Sequence, residues 1–170
     1  MPYKCTQRKD FGFPTQIQGY EVDLYTYVPL NGDVHPDFLA LSQNLKSITE
    51  KSLAVYLKYG KLVNLKFLLS NEMPADAGAI AYANWFKIPD KGSCNIVIYF
   101  NAPVEELNKT VAHEIAHCYQ AANLGIPLNY ETIDKWWVEG GAEYLATLVY
   151  PDEPKRVMGF TLDTEQALIL

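Results

Sequence analysis

The residues with the clearest chemical potential lie at positions 113–117, which read His-Glu-Ile-Ala-His. On an α-helix, residues at i and i+4 fall on one face, about 40° apart at 100° per residue. Two imidazoles so placed can hold one Zn²⁺ at about 2.0–2.1 Å. The intervening Glu114 sits beside such an ion. It can take a proton from a zinc-held water whose pKa the metal has lowered toward about 7, and pass it to a leaving amine. Two of the chain's three histidines belong to this segment. The third, His35, precedes Pro36 and reads as a turn residue. A helical wheel gathers Val104, Leu107, Val111, Ile115, Cys118 and Ala122 into an apolar stripe, while His113 and His117 fall opposite it with Glu106, Thr110 and Gln120. Core histidines would lie within the stripe; these two face away from it, where a cleft would form. Cys118, on the stripe, reads as a buried thiol.

A hydrolytic zinc site usually has three protein ligands and one position open to water. Residues 136–144 read Trp-Trp-Val-Glu-Gly-Gly-Ala-Glu-Tyr, and Glu139 lies 22 residues beyond His117. The loop from Gly125 to Ile133 is long enough to reverse the chain and lay a second helix across the first. Glu143 is at i+4 from Glu139, so the two carboxylates share a face. One can bind metal while the other accepts an N–H from a ligating histidine. We assign Glu139 as the ligand and Glu143 as the histidine's partner, although spacing alone allows the reverse. Gly140 and Gly141 each cost about 1 kcal/mol against alanine inside a helix. A close helix–helix approach would offset that cost. Trp136 and Trp137 read as core or cleft packing.

HExxH followed by W-x-EG-x-AEY resembles the gluzincin branch of zinc metallopeptidases, to which the bacterial collagenases and the aminopeptidase-N-like enzymes belong. The resemblance covers roughly residues 94–150. It implies one zinc ion on His113, His117 and Glu139, with Glu114 as general base. It also implies an edge strand before the motif helix that binds extended peptide through main-chain hydrogen bonds, a role open to Cys94–Phe100 or Ala79–Phe86. Such enzymes usually carry a sizeable C-terminal subdomain after the third ligand, whereas 31 residues follow Glu139 here. They also use a downstream His or Tyr to stabilise the oxyanion, worth about 10²–10³ in rate. No histidine follows His117, so Tyr130, Tyr144 and Tyr150 are the nearby candidates.

The elements that must position these groups follow from pattern. Tyr20 to Val28 alternates and is rich in β-formers, which predicts a strand. A helix is expected after His35-Pro36 through Phe38, Leu41, Leu45, Ile48, Leu53 and Tyr56, with Gly60 as its stop. Lys61–Ser70, Ala79–Phe86 and Cys94–Phe100 read as strands, the last two as an antiparallel hairpin. Asn101, Pro103 and the acids after it start the motif helix. It is expected to run to about Asn123, ended by Gly125 and Pro127. A further helix is expected from about Asp134 to Tyr150, and a short one from Phe160. The expectation is an α+β, zincin-like fold with a small mixed or antiparallel sheet. An edge strand would lie beside the HExxH helix, and a second helix would carry the third ligand. Residues 1–170 read as a single domain, with the sheet and motif helix in about 1–123 and a short helical part in about 124–170.

Composition bounds the partners. The chain has 170 residues, 49% hydrophobic and 20% charged, a globular balance that buries a normal core. A net charge of −6 without a Lys/Arg cluster argues against nucleic acid, and no apolar stretch reaches the roughly 18 residues of a membrane span. The opening residues show no apolar signal core, as in a cytoplasmic protein or a secreted one with its signal removed. Cys5, Cys94 and Cys118 allow one bridge with one thiol left over. The expected function is a zinc-dependent peptidase acting on a peptide or protein. The alternatives are a peptidase-like binding module, inactive or keeping zinc structurally, that holds a peptide or protein in the cleft, and a non-peptidase zinc hydrolase. Compartment and oligomeric state do not follow from the sequence.

Overall fold

The alternation that begins at Tyr20 builds the longest strand, and the rest of the sheet grows from its two edges. The structure, a computed structural model, describes residues 3–71, 81–84, 93–99, 104–124 and 133–153. The strands are β1 (Tyr3–Gln7), β2 (Gln16–Ile17), β3 (Tyr20–Pro29), β4 (Asn64–Ser70), β5 (Ala81–Asn84) and β6 (Ser93–Tyr99). The helices are α1 (Phe38–Tyr56), α2 (Val104–Leu124) and α3 (Lys135–Val149). This is a mixed α+β fold. The sheet order is β1-β3-β4-β6-β5, with the short β2 paired to the start of β3. The central β3, β4 and β6 are parallel, and β1 and β5 lie antiparallel at the two edges.

The expected hairpin is present, with Ala81 opposite Ile98 and Ala83 opposite Ile96. The expectation of a mixed or antiparallel sheet allows a parallel centre without placing it. That centre arises because α1 carries the chain from β3 back to the start of β4, as a parallel pair requires of its crossover. β1 also goes beyond the sequence reading. Most of its side chains are exposed, so Lys4, Cys5, Thr6 and Gln7 show no apolar alternation.

Period two sorts the strands cleanly. Val22, Leu24 and Val28, Leu65, Phe67 and Leu69, and Cys94, Ile96 and Ile98 are all buried on one face, while Tyr25, Tyr27, Lys66 and Leu68 on the other keep partial exposure. The buried face joins α1, α2 and α3 in one apolar cluster. α1 contributes Phe38, Leu41, Leu45, Ile48, Leu53 and Tyr56, the spacing expected for its apolar face. At its N-terminus the N–H of Asp37 donates to His35 Nδ1 at 3.3 Å, which makes the turn histidine a local acceptor.

Two details correct the sequence reading. α1 ends at Tyr56, and Gly60 is not its left-handed stop. A Cβ at Gly60 would run into the Asn123 side chain and the Tyr119 hydroxyl, so glycine there permits the close approach of this turn to α2. Asn123 uses the space, accepting from Lys61 N–H at 3.1 Å and donating to Lys61 C=O at 2.7 Å. Cys118 is buried, but it is not a thiol: it is bonded to Cys94, tying α2 to β6, and Cys5 is the free, exposed cysteine. Gly125, Tyr130 and the helix expected from Phe160 lie outside the described residues. Among the described residues, no helix is long and apolar enough to cross a membrane.

Candidate metal centre

α2 is held from three sides. The disulfide fixes Cys118 to the sheet, and the Tyr56 hydroxyl at the end of α1 donates to Ala112 C=O at 2.9 Å, one residue before His113. Burial pushes the Tyr56 hydroxyl far above the ordinary phenol range, so it stays a proton donor. On the remaining side, α3 packs along α2 through Val138, Ala142 and Ala146, all fully buried and four residues apart. Small side chains at this spacing let two helices approach closely.

That approach overturns one sequence expectation. The face of α2 opposite its apolar stripe is not open: His113, Glu114, His117 and Gln120 retain only 6, 8, 4 and 6% exposure. α3 covers the polar face because its own carboxylates meet it. His113 Nε2 lies 3.2 Å and His117 Nε2 3.4 Å from the same oxygen, Glu139 Oε2. Candidate ligand atoms of all three residues fall within 4.8 Å of one another. On a tetrahedral zinc at about 2.0–2.1 Å, neighbouring ligand atoms stand about 3.3–3.4 Å apart. The two separations to Glu139 are close to that edge, and the third, between the imidazoles, is within 4.8 Å. The Glu139 side chain keeps 18% exposure, more than either imidazole.

The second carboxylate takes the other role. Glu143 Oε2 lies 3.5 Å from His113 Nδ1, the ring nitrogen turned away from Glu139. Its other oxygen pairs with the Lys109 ammonium at 2.6 Å. Spacing does not distinguish Glu139 from Glu143, and their contacts differ: Glu139 meets both Nε2 atoms, Glu143 the Nδ1 of His113. Two groups escaped the sequence reading. Lys109 is 5% exposed and stands one helical turn before His113. Gln120 was grouped with the histidines on the wheel but given no role; its Oε1 lies 3.0 Å from His117 Nδ1, and its Nε2 donates to Val138 C=O at 2.9 Å. A lysine or glutamine on the polar stripe of a helix carries no sequence signal beyond its face. Only the arrival of α3 shows that it is buried and paired.

The electrostatics favour a cation. Glu114, Glu139 and Glu143 formally bring three negative charges and Lys109 one positive, a sum of −2 before any proton on His113 and −1 with it. Burial alone would pull the His113 imidazole down. The facing Glu139 and Glu143 carboxylates and the charge of Glu114 outweigh that and push it up to about 9. Burial would likewise raise Glu143, but His113 and Lys109 hold it below the usual carboxylate range. A divalent ion would supply the charge that a proton supplies in part in its absence. Two imidazoles and a carboxylate are a donor set able to hold a metal ion.

Other site candidates fall elsewhere. Tyr144 is 66% exposed on α3. Tyr150 is half-buried at the end of α3, its ring centroid 5.4 Å from Lys51 Nζ, and burial followed by the nearby Glu153 charge pushes its hydroxyl up to about 12. The His–His–Glu group contains neither tyrosine. Trp136 and Trp137 are 50 and 41% exposed, which excludes the core-packing reading. They line a shallow depression of about 330 Å³ with Leu124, Ile133 and Asp134. Of the two strands considered for peptide binding, β6 is interior to the sheet, while β5 is the edge strand and packs against α2. Gly141 stands over Gln120, whose Nε2 would lie 2.8 Å from a Cβ there, whereas nothing comes within 4 Å of a Cβ at Gly140. The close approach expected for the glycine pair therefore holds at Gly141 alone. No family model matches the chain, and no curated protein or solved structure matches it either.

Proposed function

We propose that this chain is a zinc-dependent peptidase, in which His113, His117 and Glu139 hold the metal and Glu114 is general base and then general acid. The observation that carries the reading is the convergence of both Nε2 atoms on one Glu139 oxygen at separations of 3.2 and 3.4 Å, with the Nδ1 atoms turned to Glu143 and Gln120. Ligating histidines characteristically have their second nitrogen so engaged. A zinc ion bound there would polarise a carbonyl oxygen and lower the pKa of a water toward about 7. Glu114, next to His113 on α2, would take the proton of the attacking water and deliver it to the leaving nitrogen. β5, at the edge of the sheet among the described residues, would present its outer side to an extended peptide. The similarity of the 113–144 segment to gluzincins supports the same assignment.

A peptidase-like binding module that keeps the metal as a brace is the second reading. The burial of both imidazoles favours it, since structural sites are closed. One experiment separates the two. Glu114→Gln should bind zinc as the wild type does and lose about 10²–10⁴ in the rate of cleavage of an unfolded protein. Zinc-loaded wild type that cleaves nothing would decide for the binding module.

A further inference from the structure

We infer that Gln120 is the positioning residue for His117, and that position 141 is glycine so that the Gln120 amide fits between the helices. The inference rests on reading His117 as a metal ligand. The orientation of the amide is fixed by its partners. Val138 C=O can only accept, so the end of Gln120 that faces it at 2.9 Å must be the NH₂. The end that faces His117 Nδ1 at 3.0 Å is then the oxygen, which also only accepts. Nδ1 must therefore carry the hydrogen. With a metal bound, the ring would then offer the lone pair of Nε2, the atom directed at Glu139 Oε2.

The same side chain ties the two ligand-bearing helices together. It starts on α2, one turn after His117, and ends on the main chain of the residue preceding Glu139. Any rotation of α3 that moved Glu139 would stretch this link, so a single amide sets both the tautomer of one ligand and its separation from another. The link needs room. A Cβ at position 141 would stand 2.8 Å from Gln120 Nε2, closer than real Cβ contacts fall. That nitrogen is the far end of a flexible side chain, so the amide can give way, but only by lengthening its bond to Val138 or to His117. This gives Gly141 a reason to persist in a helix interior, where glycine is the poorest residue after proline. The hydrogen-bonding capacity of Gln120 is used on both sides while the residue keeps 6% exposure, as a buried amide requires.

The test uses the whole chain and two readouts. In imidazole ¹⁵N NMR, His117 Nδ1 should carry a hydrogen bonded to Gln120, in the metal-free protein as in the zinc-loaded one. Gln120→Met keeps the bulk and removes both hydrogen bonds, so it should change that signal and weaken zinc binding about 10–100-fold in competition with a chromophoric chelator. Gly141→Ala should weaken zinc comparably. Gln120→Ala combined with Gly141→Ala should bind zinc no more weakly than Gln120→Ala alone, because the added methyl then has nothing to displace. The inference is overturned if Gln120→Met keeps the wild-type tautomer and zinc affinity, or if the Gly141→Ala loss adds in full on the Gln120→Ala background. Wild type that binds no zinc would instead remove the metal reading, while the NMR signal still reports on the Gln120 contact by itself.

Discussion

α1 and α2 are helices of 19 and 21 residues buried against the same sheet, yet they bury different chemistry. α1 presents Phe38, Leu41, Leu45, Ile48, Leu53 and Tyr56 to the core. Its buried Ser42 and Thr49 donate to carbonyls of their own helix, Leu39 and Leu45. Of the hydrogen bonds described for buried polar side chains of α1, one leaves the helix, that of the Tyr56 hydroxyl to Ala112 C=O. α2 buries Lys109, Thr110, His113, Glu114, His117 and Gln120. Four of these meet partners or facing charges from α3 or from one another: Lys109 with Glu143, His113 with Glu139 and Glu143, His117 with Glu139 and Gln120, and Gln120 with Val138. Ionised groups are among the most expensive to bury. A seam built for stability alone would resemble that of α1. The comparison teaches that the α1 side supplies folding free energy and the α2–α3 side spends part of it on a site.

Perturbing the α1 side should therefore change stability and leave the site chemistry alone. Leu45→Ala, at a fully buried position, should lower the unfolding free energy by about 3–4 kcal/mol in urea titration. Zinc affinity of the folded protein should be unchanged. A large affinity loss would break the division between the two sides.

The Cys94–Cys118 bond joins them, since it runs from the sheet to the residue after His117. Its sequence separation of 24 predicts a loss of about 3 kcal/mol on replacing both cysteines by alanine, in the chain-entropy account. Zinc affinity should move by less than about threefold, because Tyr56 and Gln120 still hold α2 in place. A collapse of affinity at constant fold would show that the bond serves the site as well as the scaffold. The smallest effect is expected at Lys109→Met. Breaking a fully buried pair costs about 3–5 kcal/mol, but the Glu143 side chain is 24% exposed and can regain water, so about 1 kcal/mol is expected. Zinc affinity should fall several-fold as Glu143 loses its anchor.

Much of this was legible before any coordinates. Alternation placed β3, apolar spacing placed the buried face of α1, and the stop at Pro151 placed the end of α3 within a residue. The 113–117 and 136–144 segments named the residues that come together. What stayed hidden was tertiary in origin. Period two says which face of a strand is buried but not which strand lies beside it, so the parallel β3-β4-β6 centre was invisible. β1 has no buried face to write a pattern. Gly60 read as a helix stop because glycine signals a turn and a close approach equally well. The wheel placed the histidines opposite the apolar stripe correctly, yet could not foresee that α3 would bury them. For the same reason the sequence could list Gln120 on that face without showing what it does.

The most direct test of the central claim is zinc-edge X-ray absorption on protein loaded with one equivalent of zinc, beside Glu139→Ala. The account predicts one tightly held ion with two imidazole nitrogens at about 2.0–2.1 Å and oxygen completing the shell, and weak or altered coordination in the variant. A zinc-free wild type, or a first shell that is the same with and without the Glu139 carboxylate, would contradict it.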